Sequence, residues 1–343
     1  MELPVTESRP KLSKRRNRLI QAIILVAAYG FIYHQVFSEH GNRQLTGLLQ
    51  QFITLGREKS LATIILVMML LNWGTEAVKW KYLIDRIEQI SFLKSFKAIL
   101  TGITISTFTP NRVGEYFGRA FILKKADPID AIILTIVGSM SQLLVTVIAG
   151  TTSLLFLLPQ FIAQNISLSG VVLPGLVIIS ILLNAGFILL YLNISAIRPL
   201  ARYFLKQHWR KVYRYISILR NIRPGTLAMV LLLSCLRYAI FFLQFYLALR
   251  LFDVRLSLHE ALILLPVIYL ALAIVPTVAL TELGVRGSIA IYVISTYLQI
   301  QSNAMGNMDS AILSAATLIW IINLALPAIA GTFFVFNLRF FRR

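Results

Sequence analysis

Long apolar segments recur along the whole of this 343-residue chain, and they constrain its fold more than any other feature. A helix that crosses the hydrocarbon core of a bilayer, roughly 30 Å thick, needs about 20 apolar residues. The segments that meet this length are 19–37, 61–80, 130–158, 171–193, 225–251 and 310–338. The sequence therefore predicts an all-α, polytopic integral membrane protein.

The polar residues are too few and too scattered to form a separate aqueous domain. Charged residues make up 14% of the chain, whereas a soluble domain usually contains about a quarter. We predict a single transmembrane domain over residues 1–343, with a basic N-terminus at 1–18 and a basic loop at 194–224. One cysteine, Cys235, and four scattered histidines predict no metal site. The sequence shows no phosphate-binding glycine loop and no nucleophile elbow, so we expect neither a cofactor nor soluble-enzyme chemistry.

Two further apolar stretches, 98–123 and 260–300, are interrupted by proline, glycine and charged residues. The interruption runs from Thr109 to Glu115 in the first stretch and from Pro276 to Gly287 in the second. A lipid-facing helix would not carry such residues at its centre. We therefore predict two broken helical hairpins that each enter and leave on one side of the membrane, with arms of about 12 residues in the first hairpin.

The positions of the basic residues support this topology. The net charge of +19 does not indicate nucleic-acid binding, because the lysines and arginines are not clustered on a water-facing domain. With a cytoplasmic N-terminus and two same-side hairpins, the basic clusters at 11–18, 79–97, 198–223 and 339–343 all lie inside. The outer loops 159–170 and 301–309 contain none, and the other outer segments contain five: Arg43, Arg57, Lys59, Arg250 and Arg255. The positive-inside rule thus predicts that both termini are cytoplasmic.

The same topology divides the chain into two halves, at about 19–158 and 171–338, with the same order of elements. Each half has two spans, a broken hairpin and a further span. Because the first half begins inside and the second begins outside, the halves are predicted to be inverted repeats. In transporters built from inverted repeats, the substrate site lies where the broken helices meet near the midplane.

A Glu-x-x-x-Arg motif occurs in both hairpins, a few residues after a proline. It consists of Glu115 and Arg119 in the first hairpin and Glu282 and Arg286 in the second. Spacing of four residues places a carboxylate and a guanidinium on one helix face, where they can pair, and Arg112 lies three residues before Glu115. The prolines and the neighbouring glycines, which allow close approach of a backbone or headgroup, are the predicted hinge residues: Pro110, Gly114, Gly118, Pro276, Gly284 and Gly287.

A charge at the bilayer centre costs about 2.5–3.5 kcal/mol even on the most lenient scale, so these side chains must face a shared interior or a wet cavity. Arg237, in the middle of its span, is expected to point to the same place. Glu76 is interpreted mainly as a local pair with Lys79 near the interface. The candidate substrate-binding residues are Arg112, Glu115, Arg119, Arg237, Glu282 and Arg286.

With Glu76 included, these residues comprise four arginines and three glutamates, a balance that suits a headgroup with a phosphate, with or without an amine. The planar fork of arginine can donate two bonds to a phosphate at once, and helix N-termini after the prolines would add positive dipole ends. The alternative is that the Glu–Arg pairs only brace the hairpins. Most mid-span amides and hydroxyls are expected to form interhelical hydrogen bonds: Asn72, Ser139, Ser141, Gln142, Asn184, Gln244 and Asn323.

The Thr-Pro-x-x-x-Gly-Glu-x-x-Gly-Arg stretch at 109–119, together with Pro276 and the Glu-Leu-Gly-x-Arg-Gly stretch at 282–287, resembles the flippase-like family. This family includes the membrane half of lysylphosphatidylglycerol synthase/flippases of the multiple-peptide-resistance type. The resemblance implies a bacterial or archaeal inner-membrane protein that moves a phospholipid or lipid-linked headgroup between leaflets. The chain ends at Arg343 without a cytosolic aminoacyl-transfer domain, so we expect no synthesis of an aminoacylated lipid.

We therefore expect a transporter without enzymatic activity, whose partners are a membrane lipid headgroup and, along the basic and aromatic 194–224 loop, anionic lipid at the cytoplasmic face. Two alternatives stay open. A membrane-embedded lipid transferase would need a general base, for which Glu115 or Glu282 is the candidate. An accessory subunit that docks a protein through its cytoplasmic loop predicts no cavity between the hairpins. The lipid, the direction, the energy source and the oligomeric state are left open by the sequence.

Overall fold

A computed structural model describes residue 26 and residues 59–107, 109, 112–162, 172–194, 218–219, 222–275, 279–302 and 308–335. These residues form helices and contain no strand, which confirms the all-α class. The predicted span at 19–37 apart from Val26, the basic N-terminus and most of the 194–224 loop lie outside the described residues. The hinge residues Pro110 and Pro276 also lie outside them.

The longer helices agree closely with the predicted spans. The helices, in chain order, are α1 (Lys59–Ile84), α2 (Phe92–Ser106), α3 (Gly114–Ala120), α4 (Pro128–Ile162), α5 (Val172–Leu192), α6 (Pro224–Leu251), α7 (Leu258–Ile274), α8 (Ala279–Ser302), α9 (Asp309–Trp320) and α10 (Leu326–Val335). A π-helical turn, Ile321–Ala325, joins α9 and α10. Six segments in the described part of the chain are long and apolar enough to cross a membrane, so this is a multi-pass membrane protein.

The exposed surface of α5 shows what surrounds this fold. Large apolar side chains on this helix are open to the outside, among them Ile181, Leu182, Phe187 and Leu189. In water, such a continuous apolar surface would cause aggregation, whereas hydrocarbon accepts it without cost. The helix is therefore built to face lipid along most of its length.

The first broken hairpin has unequal arms instead of the two arms of about 12 residues predicted above. Helix α2 contains 15 residues and α3 only 7. Helix α2 also begins six residues before the predicted start at 98, because the Ser91 side chain accepts a hydrogen bond from the Lys94 N–H at 3.2 Å and caps the helix. Hydropathy alone does not detect such a cap.

The two ends of this hairpin meet at one carboxylate, Glu88. The Glu88 oxygens accept hydrogen bonds from the backbone N–H groups of Lys124, Lys125 and Ala126 at 2.6–3.1 Å, and from Lys94 Nζ at 2.7 Å. Residue 88 precedes α2, and residues 124–126 follow α3. The two ends of the hairpin therefore lie side by side, which agrees with the prediction that the chain enters and leaves the hairpin on one side of the membrane.

The same hydrogen bonds predict how Glu88 contributes to stability at different pH values. Burial raises the pKa of the Glu88 carboxyl, but the bonds from Lys94, Ala126, Lys125 and Lys124 outweigh it and lower the pKa from 4.5 to about 2. A carboxyl with a lowered folded-state pKa stabilises fully above its ordinary pKa, and this contribution is lost as pH falls towards the folded value. We expect Glu88→Gln to reduce stability by about 1–3 kcal/mol at pH 7.

Thermal unfolding in detergent at pH 7 and at pH 3 measures this effect. The difference between the wild type and the Glu88→Gln variant should be large at pH 7 and smaller at pH 3. A difference that stays constant between these two pH values would show that the negative charge of Glu88 makes no contribution.

The second broken stretch has two long arms. Helix α7 contains 17 residues and begins with a capping box formed by Ser257 and Glu260, and α8 contains 24 residues. The segment Thr281–Ile300 is by itself long enough to cross a membrane. Two re-entrant arms and two full crossings both return the chain to the side it left, so the predicted sides of the later loops are unchanged.

Each broken stretch packs on the last helix of the other half. Helix α2 contacts α10, and α7 contacts α4. Both contacts are close at a glycine: a Cβ on Gly331 would lie 2.2 Å from the Leu100 carbonyl oxygen, and one on Gly150 would lie 2.4 Å from Leu270 Cβ. This reciprocal packing agrees with two halves of equivalent order, and their inverted orientation stays a prediction.

Candidate functional site

Two of the predicted hinge glycines fix the position of α3 on α2. A Cβ on Gly118 would lie 2.7 Å from Gly102 Cα, and one on Gly114 would lie 2.5 Å from the Ile105 carbonyl oxygen. Only glycine allows the two helices to approach this closely. The short helix α3 is thereby held in the orientation that points Glu115 and Arg119 away from lipid.

The two predicted hinge glycines of α8 differ from each other. A Cβ on Gly287 would lie 2.4 Å from Leu313 Cδ1, so Gly287 allows α8 to pack on α9. No atom lies within 4 Å of a Cβ on Gly284. Within the described residues, Gly284 therefore marks open space and not a helix contact.

A buried charge network is centred on Glu76, and we call it the Glu76 cluster. Arg119 donates to Glu76 Oε1 at 2.8 Å and also to Glu115. Lys79 Nζ lies 2.8 Å and Arg237 Nη1 3.1 Å from Glu76 Oε2. Glu76, Lys79 and Arg119 are at most 4% exposed, so three cations and two carboxylates share one largely dry location.

The prediction for Glu76 was incomplete. Its pair with Lys79 is present, but Glu76 also binds Arg119 of α3 and Arg237 of α6. These partners are distant in sequence, so no local spacing pattern indicates them. The available signal was a carboxylate within an apolar span, which needs buried partners in a membrane protein.

Arg237 is held by a chain of amide side chains. Its Nε donates to Asn72 at 2.9 Å, Asn72 donates to Asn323 at 2.8 Å, and Asn323 donates to Gln244 at 2.9 Å. Asn323 lies in the π-helical turn, a feature that often occurs at functional sites. The predicted interhelical role of Asn72, Gln244 and Asn323 is confirmed.

A second charge network, which we call the Glu282 cluster, connects the two hairpins. Glu282 Oε1 accepts hydrogen bonds from Arg286 Nη2 at 3.0 Å and from Arg112 Nη2 at 3.3 Å. The bond between Glu282 and Arg286 confirms that these side chains, four residues apart on one helix, pair as expected. The contact from Arg112 was not expected, because the sequence placed Arg112 beside Glu115.

The backbone of Arg112 explains this difference. The expectation assumed that the helix extends through residue 112, but α3 begins at Gly114 and Arg112 has a φ of 58°. A residue other than glycine in this left-handed region costs about 1–3 kcal/mol and persists only where the surroundings enforce it. The conformation directs the Arg112 side chain towards α8 and away from the face of Glu115.

A cavity of about 560 Å³ lies between the hairpins and α6. Its charged lining residues are Arg112, Arg237, Glu282 and Arg286, which gives it an excess of positive charge. Gln142, Tyr238 and the apolar residues 272–275 form other parts of its wall. Ile274 is 71% exposed and Val275 39%, so the cavity meets the outer surface at an apolar rim. This volume is typical of a site for a small molecule or a headgroup.

Four of the six predicted binding residues line this cavity, and two do not. Arg119 is buried between Glu76 and Glu115, and neither Glu115 nor Arg119 is among the residues that line the cavity. The bracing interpretation therefore describes the contacts of Glu115 and Arg119, whereas Arg112 and Arg286 face the cavity. Among the described residues, no group of three or more histidine, cysteine or carboxylate side chains is placed to hold a metal ion.

A comparison with known protein families gives a match that covers almost the whole chain. The family model described as the lysylphosphatidylglycerol synthase TM region matches residues 22–331. This range includes both hairpins and every residue of the two charge clusters. No curated protein and no solved structure matches the chain.

Proposed function

Since this chain belongs to the family of the lysylphosphatidylglycerol synthase transmembrane region, we propose that it moves a phospholipid or lipid-linked headgroup from one membrane leaflet to the other. The family match supports a lipid-related role in the membrane. The observation that carries the transport proposal is the cavity between the hairpins, which combines three arginines with an apolar rim. A headgroup can occupy the charged part while the acyl chains stay in lipid beyond Ile274.

The proposed location is the inner membrane of a bacterium or archaeon, with both termini in the cytoplasm. The support for this orientation is the concentration of basic residues in the predicted inner loops. The basic and aromatic 194–224 loop would then lie on the anionic surface of the inner leaflet.

The two alternative functions fit the site less well. A lipid transferase needs an available general base, and both candidate carboxylates are paired with arginine: Glu115 with Arg119, and Glu282 with Arg112 and Arg286. An accessory subunit was expected to have no cavity between the hairpins. The cavity that the described residues form favours transport over that alternative.

Reconstituted vesicles test the proposal. Purified protein in liposomes with an acyl-labelled phospholipid should move the label between leaflets faster than protein-free liposomes, measured as the fraction that a membrane-impermeant reductant quenches over time. Arg286→Gln removes a charge-assisted contact worth about 1.5–3 kcal/mol, so we expect a roughly 10- to 100-fold slower rate.

Arg250→Gln is the matched control. Arg250 lies on α6 and, like Arg237, stacks on an aromatic ring, but it does not line the cavity. The control should retain the wild-type rate at equal reconstituted amounts. The proposed function would be contradicted if liposomes with wild-type protein moved the label no faster than protein-free liposomes. An unchanged rate of label movement for Arg286→Gln would exclude Arg286 from the transport path.

A further inference from the structure

The charges around the cavity do not balance. In the described residues, the Glu76 cluster and the Glu282 cluster together contain five cations and three carboxylates. Each cluster has one more positive than negative charge, and both border the cavity, the first through Arg237. An uncompensated charge in such surroundings is costly. A negatively charged ligand in the cavity would therefore stabilise the site.

Within the described residues, the arginines of the Glu282 cluster have donors left for such a ligand. Arg112 and Arg286 each give a single Nη2 bond to the same Glu282 oxygen, while a guanidinium carries five N–H donors in a fork that fits phosphate. Within the part of the chain that the structure describes, Arg286 Nε has no hydrogen-bond partner. This nitrogen is covered by neighbouring atoms, so a phosphate reaches it only when the side chain turns.

An ammonium group, by contrast, finds no unshared carboxylate among the described residues that line this cavity. The side-chain oxygen of Gln142, which has no hydrogen-bond partner there, could accept one hydrogen bond but carries no negative charge. The described lining residues include one carboxylate, that of Glu282, and it is already shared by two arginines. Three aromatic rings belong to the wall. The Arg237 guanidinium already lies 5.4 Å from the centre of the Phe241 ring, and the rings of Tyr238 and Tyr269 pack edge to face on each other. An amine in the cavity would therefore meet the positive charges of Arg112, Arg237 and Arg286, and no free carboxylate in the described part of the wall would offset them.

We propose that this cavity selects lipids whose headgroup carries a phosphate and no ammonium group, and that it discriminates against zwitterionic and aminoacylated lipids. The inference rests on the proposed transport function, because it names the substrate class of the same site. It is also narrower than the expectation from the sequence, which allowed a headgroup that contains a phosphate with or without an amine.

Reconstituted liposomes of phosphatidylcholine test this selectivity with trace probes that share one labelled acyl chain. The probes are phosphatidylglycerol and phosphatidic acid, which lack an amine, and phosphatidylethanolamine and lysyl-phosphatidylglycerol, which carry one. We expect the two probes without an amine to cross at least 10 times faster than the two with one. Arg286→Gln should remove most of this preference, and Arg250→Gln should leave it unchanged.

Equal rates for all four probes, or faster transport of an amine-bearing probe, would overturn the inference while leaving the transport function intact. Uptake of free inorganic phosphate by the same vesicles without movement of any lipid probe would also overturn it, because the ligand would then be a soluble anion.

A binding measurement keeps the inference testable if no probe moves. The wild-type protein in detergent should gain several degrees in Tm with a short-chain phosphatidylglycerol, and little with the phosphatidylcholine of equal chain length. Arg286→Gln should lose this difference. Equal shifts for both lipids would contradict the selectivity, whereas a selective shift without transport would contradict only the transport function.

Discussion

Glu76→Gln is expected to destabilise the protein more than the loss of any exposed charge. Glu76 is 4% exposed and holds Lys79, Arg119 and Arg237. When Glu76 loses its negative charge, Glu115 is the one carboxylate among the described residues that is left to these three buried cations. Removing one partner of a buried ion network costs about 3–5 kcal/mol. The Tm in detergent, together with the monodisperse fraction from size-exclusion chromatography, measures the loss.

Two further variants make this result specific to the charge network. Asp253→Asn removes a carboxylate from an exposed pair with Arg255, and exposed pairs contribute little, so its Tm should match that of the wild type. Adding Lys79→Gln to Glu76→Gln restores the original charge excess of the cluster and should recover part of the lost stability. If Glu76→Gln is as stable as Asp253→Asn, the Glu76 cluster does not support the fold.

Exchanging Glu115 and Arg119 is expected to be at least as damaging. In an isolated ion pair, a reversal of both charges preserves the attraction. Here Arg119 also binds Glu76 at 2.8 Å, so the exchange would place a carboxylate at position 119 beside the buried carboxylate of Glu76. The variant loses one attraction and gains a repulsion at low dielectric, and we expect little folded protein from the double reversal Glu115→Arg/Arg119→Glu.

The comparison variant for this exchange is Glu115→Gln. It leaves Arg119 its bond to Glu76, so it should retain most of the folded protein that the exchange loses. Both are quantified as the monodisperse yield after purification at equal expression. A reversed pair with wild-type yield would mean that the Arg119–Glu76 contact contributes nothing, and the two hairpin residues would then form an independent brace.

The membrane spans were predictable because each helix carries its own signal. A run of apolar residues reports a crossing without reference to the rest of the chain, and the described spans agree with the predicted ones to within a few residues. The Glu115–Arg119 and Glu282–Arg286 pairs were predictable for the same reason, since four-residue spacing is a local property of a helix.

The contacts that build the site were not predictable in this way. Glu76 meets Arg119 and Arg237, and Arg112 meets Glu282, across long sequence separations. Buried charges must find partners, but the sequence does not indicate which of several partners is near. The left-handed backbone of Arg112 was a further obstacle, because a helical extrapolation from Glu115 directs its side chain to the wrong neighbour.

The attachment of both hairpin ends at Glu88 has a mechanical consequence. Attachment at the base opposes sliding of the segment along its axis. A rigid-body motion would therefore be a tilt, and it would involve α10 as well, because Thr104 of α2 donates to the Ala328 carbonyl oxygen at 2.7 Å. Helix α2 has 15 residues and is about 22 Å long at 1.5 Å per residue. A rotation of roughly 15°, a size known from rigid-body transitions in other proteins, displaces the far end of a lever of this length by about 6 Å. Arg112 lies near that far end, so a small tilt at the base suffices to separate its guanidinium from Glu282.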